Sequence, residues 1–270
     1  MTKSIHVSVI APPRYLAHFV AQSPATVHHV TAQRVLGDAV YRRFFRREAE
    51  LGATIIVDNG VFDLGESLSA LELVEAARAV QATEIILPDV MHDGPATINA
   101  STQGAAEIRK VTDEFLLCAV VHAADDDEWH RCYDYFANSD YVDAIALPAS
   151  RRRSDSPQLS KDRVLATAYL ESQGLVNPRI KYRMLGLGWR GHLELFEQRE
   201  HEWIESVDCA APVILGTMGI EMLPNGPYEK VRTPRVETIE EIPEDLHPLI
   251  RRNIAAVRHA ANCPLTIPAG

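Results

Sequence analysis

The sequence has little of what marks an exported, membrane-bound or metal-organised protein. No apolar run approaches the roughly 18 residues of a transmembrane helix, and the N-terminus lacks a signal-peptide core. The four cysteines are scattered without CxxC spacing, so they form no zinc motif and read as reduced thiols. We therefore expect a cytoplasmic protein that does not bind membranes.

Sequence motifs for several kinds of catalysis are absent as well. There is no GxSxG elbow for a serine nucleophile. Only five of the 27 basic residues are lysines, and none lies at a strand end, where a Schiff-base aldolase would need one. Without HxH or HExxH spacing, a metal site could use only His122 with Asp125, or His28 with His29 and Asp58. A metal-dependent hydrolase therefore stays open as an alternative, but we expect no metal and no cofactor.

The charge balance limits how the chain could hold nucleic acid. A net charge of −10 argues against a broad electrostatic grip, although not against a local one. Positive charge is concentrated in arginine clusters at 41–48, 151–153 and 250–253. Such clusters are commonly solvated surface, but beside an active site they suit phosphate contact. We predict phosphate contacts from Arg151, Arg152 and Arg153.

Short apolar runs alternate with amphipathic stretches along the whole chain. The eight strand candidates are HVSVIAP, VHHVTAQRVL, TIIVD, EIILPD, FLLCAVVHA, DAIALPAS, RMLGLG and WIESVD. Ser67 and Asp125 or Asp126 are candidate caps for two of the intervening helices. Residues 218–243 are expected to be irregular, and a last helix follows.

Near-continuous apolar strands separated by helices predict a parallel sheet covered on both faces. At 270 residues, the leading architecture is one (β/α)8 barrel domain over residues 1–270. An open doubly wound sheet is the alternative, but no GxGxxG follows the first strand.

Carboxylates stand at the ends of several of these buried strands. Asp58 follows TIIV, Asp89 follows EIILP, and Asp208 ends WIESVD. A buried charge is costly unless it is paired or used, and barrel enzymes carry their functional groups at the C-terminal ends of strands. His122 and the glycines Gly186 and Gly188 lie at such ends too. The barrel would therefore gather these residues around one mouth. Carboxylate pairs of this kind catalyse substitution at a glycosidic carbon.

The order of these motifs resembles that of the tRNA-guanine transglycosylases, over residues 52 to 220. The family's DSGGFQ corresponds to VDNGVF, its aspartate-bearing base-recognition strand to ILPDV, and its VQGG to VVHAA. Its MGVG corresponds to MLGLG and its nucleophile segment FDCVMP to VDCAAP. The resemblance implies a (β/α)8 barrel that exchanges a base through a covalent glycosyl-aspartate.

The resemblance also implies roles for individual residues. Asp208 matches the nucleophile that attacks C1′, and Asp58 matches the general acid/base. Asp89 matches the acid that binds the guanine edge, while His122 stands where the family has glutamine. Gly186 and Gly188 match the turn lining the base pocket, and Asn59 belongs to the same substrate-binding set. Phe62 is a candidate to stack on a base, with Val61 and Leu185 excluding water, although a plain core role for Phe62 is open.

Two departures from the tRNA enzymes guide the choice of polymer. The sequence lacks their zinc site of three cysteines and a histidine, and it is shorter. The form APPRYL … VDNGVFDLGES … LPDV is similar to the phage and bacterial branch that modifies DNA. The expected partners are DNA, with tRNA as the alternative, and a free 7-deazaguanine (preQ0-like) base. The sequence leaves open a homodimer, an accessory protein that supplies DNA grip, and a barrel that binds ligands without catalysis.

Overall fold

The computed structural model describes residues 5–21, 26–149, 163–187, 191–222 and 234–262. Eight strands form within these ranges: β1 His6–Val9, β2 Val27–Thr31, β3 Thr54–Asp58, β4 Glu84–Ile86, β5 Leu116–Val120, β6 Ala144–Pro148, β7 Lys181–Leu185 and β8 Ile204–Cys209. The α-helices are α1 Leu16–Phe19, α2 Ala32–Gly37, α3 Ala39–Glu50, α4 Val61–Leu64, α5 Ala70–Ala79, α6 Gly94–Arg109, α7 Asp126–Ala137, α8 Arg163–Ser172, α9 Gly191–Gln198, α10 Ala211–Thr217 and α11 His247–Asn262. Single 3₁₀ turns occupy Pro13–Tyr15, Val236–Thr238 and Glu244–Leu246.

The strands form one parallel sheet whose order is β1-β8-β7-β6-β5-β4-β3-β2. Helices alternate with the strands, and β8 pairs with β1, so the sheet curves into a nearly closed (β/α)8 barrel. This confirms the predicted fold class. The doubly wound alternative is wrong, because its strand order would reverse at a switch point. Among the described residues, no helix is long and apolar enough to cross a bilayer.

Side chains close the seam between β1 and β2, which share no backbone ladder in the described part of the chain. The backbone N–H of His29 on β2 donates to Ser8 Oγ on β1 at 2.9 Å. The imidazole Nε2 of His29 lies 3.3 Å from Ser206 Oγ on β8. Burial lowers the pKa of this imidazole to about 3, with Arg183 adding to the effect. A neutral histidine therefore links three strands across the seam.

The barrel interior is filled with side chains. Its apolar part is a cluster of alternate strand residues, all buried: Val27, Ile56, Ile86, Cys118, Val120, Ala144 and Ala146. Within the barrel, Arg183 Nη2 also lies 2.8 Å from Glu84 Oε2, and Nη1 of the same guanidinium pairs with Glu205. Glu84 begins β4 and Glu205 is the second residue of β8, so this ion cluster lies toward the N-terminal ends of the strands, away from the mouth.

Several predicted boundaries need correction. The run VHHVTAQRVL is not one strand, because β2 ends at Thr31 and α2 follows, burying Ala32 and Val35 at helical spacing. The cap of α5 is Ser69 rather than Ser67, since Ser69 and Glu72 form a reciprocal capping box. Asp125 is confirmed as the cap of α7, with Oδ1 accepting from the N–H of Glu128 at 2.8 Å. The last helix is confirmed as α11.

Candidate active site

The mouth of the barrel gathers the strand-end residues that the sequence singled out. Asp58 is the last residue of β3, and Asp208 is the penultimate residue of β8. Asp89 follows β4, and His122 follows β5 by two residues. The carboxyl of Asp58 is close enough to Asp208 and Asp89 for both to raise its pKa. Three carboxyl groups therefore share one site.

Asp58 is held by a tight turn that only glycine fits. Gly60 has φ +86°, and its N–H donates to Asp58 Oδ1 at 2.8 Å. A Cβ at Gly60 would lie 2.8 Å from Gln33 Oε1, so the end of the Gln33 side chain would also have to move. Burial, followed by the charges of Asp208, Asp89 and Asp63, raises the pKa of Asp58 to about 7. Near neutral pH this carboxyl can both give and take a proton.

The groups around Asp208 stabilise its ionised form more than those around Asp58 do. Its Oδ1 accepts from the N–H of Gly186 at 2.7 Å, and Gly186 needs the left-handed φ of +68° to aim that N–H. Burial raises the pKa of Asp208, while the Gly186 N–H and the Arg163 guanidinium oppose the rise. The charges that act most on the pKa of Asp58 are carboxylates, whereas the Arg163 guanidinium acts on that of Asp208, so the two carboxyls have different environments. Such pairs divide into one acid and one anion.

Asp89, Asn59 and His122 form a connected group beside the two carboxyls. Asn59 Nδ2 donates to Leu87 O at 2.6 Å and also to Asp89 Oδ1. His122 Nε2 lies 2.6 Å from Asp89 Oδ2, a close contact whose alignment is poor for a hydrogen bond. The Asp89 side chain is only 1% exposed. The His122 side chain is 9% exposed, so the imidazole is the more accessible partner of the two.

The remaining predicted site residues separate into three cases. Phe62 on α4 is 60% exposed, which excludes the plain core role, while Val61 and Leu185 are half-buried. Gly188 and the arginines Arg151, Arg152 and Arg153 lie outside the described residues.

The residues proposed for a metal site do not assemble into one. His28 faces outward against α3, with Nε2 3.3 Å from Glu48 Oε2, while His29 points into the barrel. Asp125 is occupied as the cap of α7. No group of three or more histidine, cysteine or acidic side chains in the described ranges could hold a metal ion. The residues suggested by the sequence therefore do not form a site of three ligands within the part of the chain that the structure describes.

One residue at the mouth was missed by sequence reasoning. Arg163 begins α8 and is buried between the ends of β6 and β7, where it pairs with Glu194 of α9 at 2.6 Å. Nothing in the sequence separates this arginine from the chain's other arginines, because its partners are backbone carbonyls of distant segments.

No protein-family model and no curated protein matches the sequence. Solved structures match at low identity. A probable tagatose 6-phosphate kinase from Sinorhizobium meliloti is 11% identical, with a TM-score of 0.46 over 80% of this chain and 67% of that one. A dihydrodipicolinate synthase from Agrobacterium tumefaciens is 12% identical, with a TM-score of 0.40 over 81% of this chain and 75% of that one.

A third structure spans more of the chain. It is a GH128 endo-β-1,3-glucanase from Amycolatopsis mediterranei, 12% identical, with a TM-score of 0.41 over 97% of this chain and 100% of that one. Likenesses at this level carry no argument about activity.

Proposed function

We propose that the protein is a base-exchange transglycosylase that replaces guanine in DNA with a 7-deazaguanine base. The observation that carries the proposal is the pair of unlike carboxyls at one mouth. Asp208 accepts an N–H bond from Gly186 and lies near a cation, whereas the pKa of Asp58 is raised to about 7. A nucleophile and a general acid are the two groups that substitution at a glycosidic carbon requires.

The first half-reaction breaks the bond between C1′ and guanine. Asp208 attacks C1′ with an oxygen lone pair, and the electrons of the C–N bond leave with the base. Asp58 gives the departing base a proton, so guanine leaves neutral and Asp58 becomes anionic. The product is a covalent glycosyl ester of Asp208.

The second half-reaction runs the same steps in reverse. The incoming base loses a proton to Asp58 and attacks C1′, and the Asp208 carboxylate is released. A pKa near 7 suits Asp58 for both directions, because neither protonation state is scarce at neutral pH.

The neighbouring groups support recognition of a purine-like base. Asp89 and His122 place a carboxylate and an imidazole beside the reacting carboxyls, and Asn59 holds Asp89 in position. The exposed ring of Phe62 offers a face on which a base could stack after leaving a duplex, a step that costs a few kcal/mol. The choice of DNA over tRNA follows the family resemblance alone.

The test is to incubate the protein with labelled guanine or 7-deazaguanine and with DNA or tRNA separately. We expect label to enter DNA and not tRNA. Asp208→Asn should lower exchange by several orders of magnitude, in line with losing a covalent catalyst, and should abolish a denaturation-resistant adduct.

The outcomes that contradict the proposal are distinct. An active Asp208→Asn with an inactive Asp58→Asn would reverse the roles of the two carboxyls. Label in tRNA alone would change the polymer and keep the mechanism. Activity that is lost to a chelator and restored by a divalent ion would favour the metal-dependent hydrolase.

A further inference from the structure

Arg163 has a buried position in which every N–H of its guanidinium is used. Its Nε and Nη2 donate to Glu194 Oε1 and Oε2 at 2.6 and 2.9 Å. Its Nη1 donates to Leu147 O at 2.8 Å and to Leu185 O at 3.0 Å, and Nη2 donates to Gly186 O at 2.8 Å. An arginine has five N–H groups, so none is left for a ligand. The residue therefore acts through the groups it holds.

One of those groups connects Arg163 to Asp208. The peptide group between Leu185 and Gly186 presents its carbonyl to Arg163 Nη1 and its N–H to Asp208 Oδ1. The carbonyl of Gly186 is held by the same guanidinium, so the peptide groups on both sides of the Gly186 Cα are fixed. A cation on the oxygen of a peptide group also polarises its N–H, which strengthens the bond to a carboxylate.

We propose that Arg163 is a positioning residue for Asp208, which it reaches through the Leu185–Gly186 peptide group. The arginine fixes the N–H that orients the carboxylate, and its charge favours the ionised form of Asp208. Glu194 serves to hold the guanidinium fork in place. Naming Asp208 as the nucleophile rests on the proposed function, whereas the link between the two residues does not.

The contact between Arg163 and Asp208 through this peptide group would assist both half-reactions. An ionised, oriented Asp208 is the better nucleophile toward C1′, and the same stabilised carboxylate is the better leaving group when the second base attacks. Since the charge of Asp208 helps to raise the pKa of Asp58, an arginine that favours the ionised form of Asp208 also helps to keep the proton on Asp58.

The test measures the ionisation of Asp208 directly, without substrate. Carboxyl ¹³C resonances of aspartate-labelled protein are titrated with pH, and Asp208 is assigned by its absence in Asp208→Asn. In Arg163→Gln we expect the pKa of Asp208 to rise by about one unit, the typical effect of removing a nearby cation.

Glu194→Gln is the matched control, because it loosens the same contact but leaves the positive charge. We expect the pKa of Asp208 to stay unchanged or to fall there. An equal rise in both variants would mean general loosening and would overturn the proposal, as would an unchanged pKa in Arg163→Gln.

A second variant covers the case in which Arg163→Gln does not fold. Arg163→Lys keeps the charge but loses the planar fork, so it should raise the pKa of Asp208 by about half a unit through lost positioning. No change in Arg163→Lys would then overturn the inference.

Activity gives an independent readout. If the protein exchanges bases, the acid limb of its pH profile should move upward with the pKa of Asp208. If the titration shifts as expected but no base exchange is found with any polymer, the proposed function fails and the inference about Arg163 stands.

Discussion

The proton on Asp58 gives the folded protein a pH dependence that is measurable without a substrate. Folding raises the pKa of this carboxyl from 3.8 to about 7, so between about pH 4 and 7 the folded chain binds a proton that the unfolded chain has lost. The free energy of unfolding therefore falls as pH rises through this window. Asp58→Asn removes the penalty and keeps the shape. We expect the variant to be more stable than the wild type by on the order of 2 kcal/mol at pH 8, and equally stable at pH 4.

Urea unfolding at the two pH values checks this expectation. Asp113→Asn is the control, because the Asp113 side chain is 89% exposed and its substitution should change little at either pH. A variant that is no more stable than the wild type at pH 8 would show that the mouth does not disfavour a charged Asp58.

At the scale of single residues, the sequence predicted where the site residues lie better than it predicted which side chains they contact. Asp58, Asp89, His122 and Asp208 could be chosen because each ends a buried apolar run, and the fold then places strand ends together. The contacts of Asp89 with Asn59 and His122 could not be predicted, since they join segments about 30 residues apart through side-chain rotamers. The role of Arg163 could not be predicted either, because its partners are mostly backbone atoms of distant segments.

At the scale of elements, the packing of α10 on α11 depends on a glycine. A Cβ at Gly216 would lie 3.0 Å from Ile250 Cα and closer still to Ile250 Cγ1. Backbone cannot move aside as a flexible side chain can, so Gly216→Ala should force the helices apart. We expect a loss of about 1–3 kcal/mol in the free energy of unfolding, despite the better helix propensity of alanine.

Gly37 provides the matched comparison. It ends α2, and a Cβ there would meet no atom within 4 Å. Gly37→Ala should be neutral or stabilising by a few tenths of a kcal/mol, since alanine reduces the entropy of the unfolded chain. Equal midpoints of urea unfolding for the two variants would refute the packing argument.

Element boundaries show where sequence patterns mislead. The run from Val27 to Leu36 is apolar and β-branched at its start, so it predicts one strand, yet the chain enters α2 after Thr31. Periodicity over ten residues cannot separate a strand followed by a helical turn from a longer strand. The cap at Ser69 is a similar case, because Ser67 and Ser69 both precede the helical pattern and only Ser69 has an acid three residues on.

At the scale of the molecule, alternation of apolar runs and amphipathic stretches was enough to predict a barrel. Eight parallel strands in sequential order are the observed result. The seam between β1 and β2 was not predictable, since it depends on hydrogen bonds that His29 makes with Ser8 and Ser206 rather than on a ladder. Nor was the ion cluster of Glu84, Arg183 and Glu205, because barrel interiors are usually apolar at such positions.

The filled interior has a consequence for the kinetics of the proposed reaction. Buried apolar side chains and the Arg183–Glu84 pair occupy the described barrel behind the mouth, so a departing base would leave by the route through which its replacement arrives. Two bases would then never be bound together, and guanine would be released before the second base binds. Initial rates at varied DNA and base concentrations should give parallel double-reciprocal lines, and free guanine should compete with 7-deazaguanine for the glycosyl-enzyme. Intersecting lines would mean that the enzyme holds both bases at once, and they would contradict this order of release.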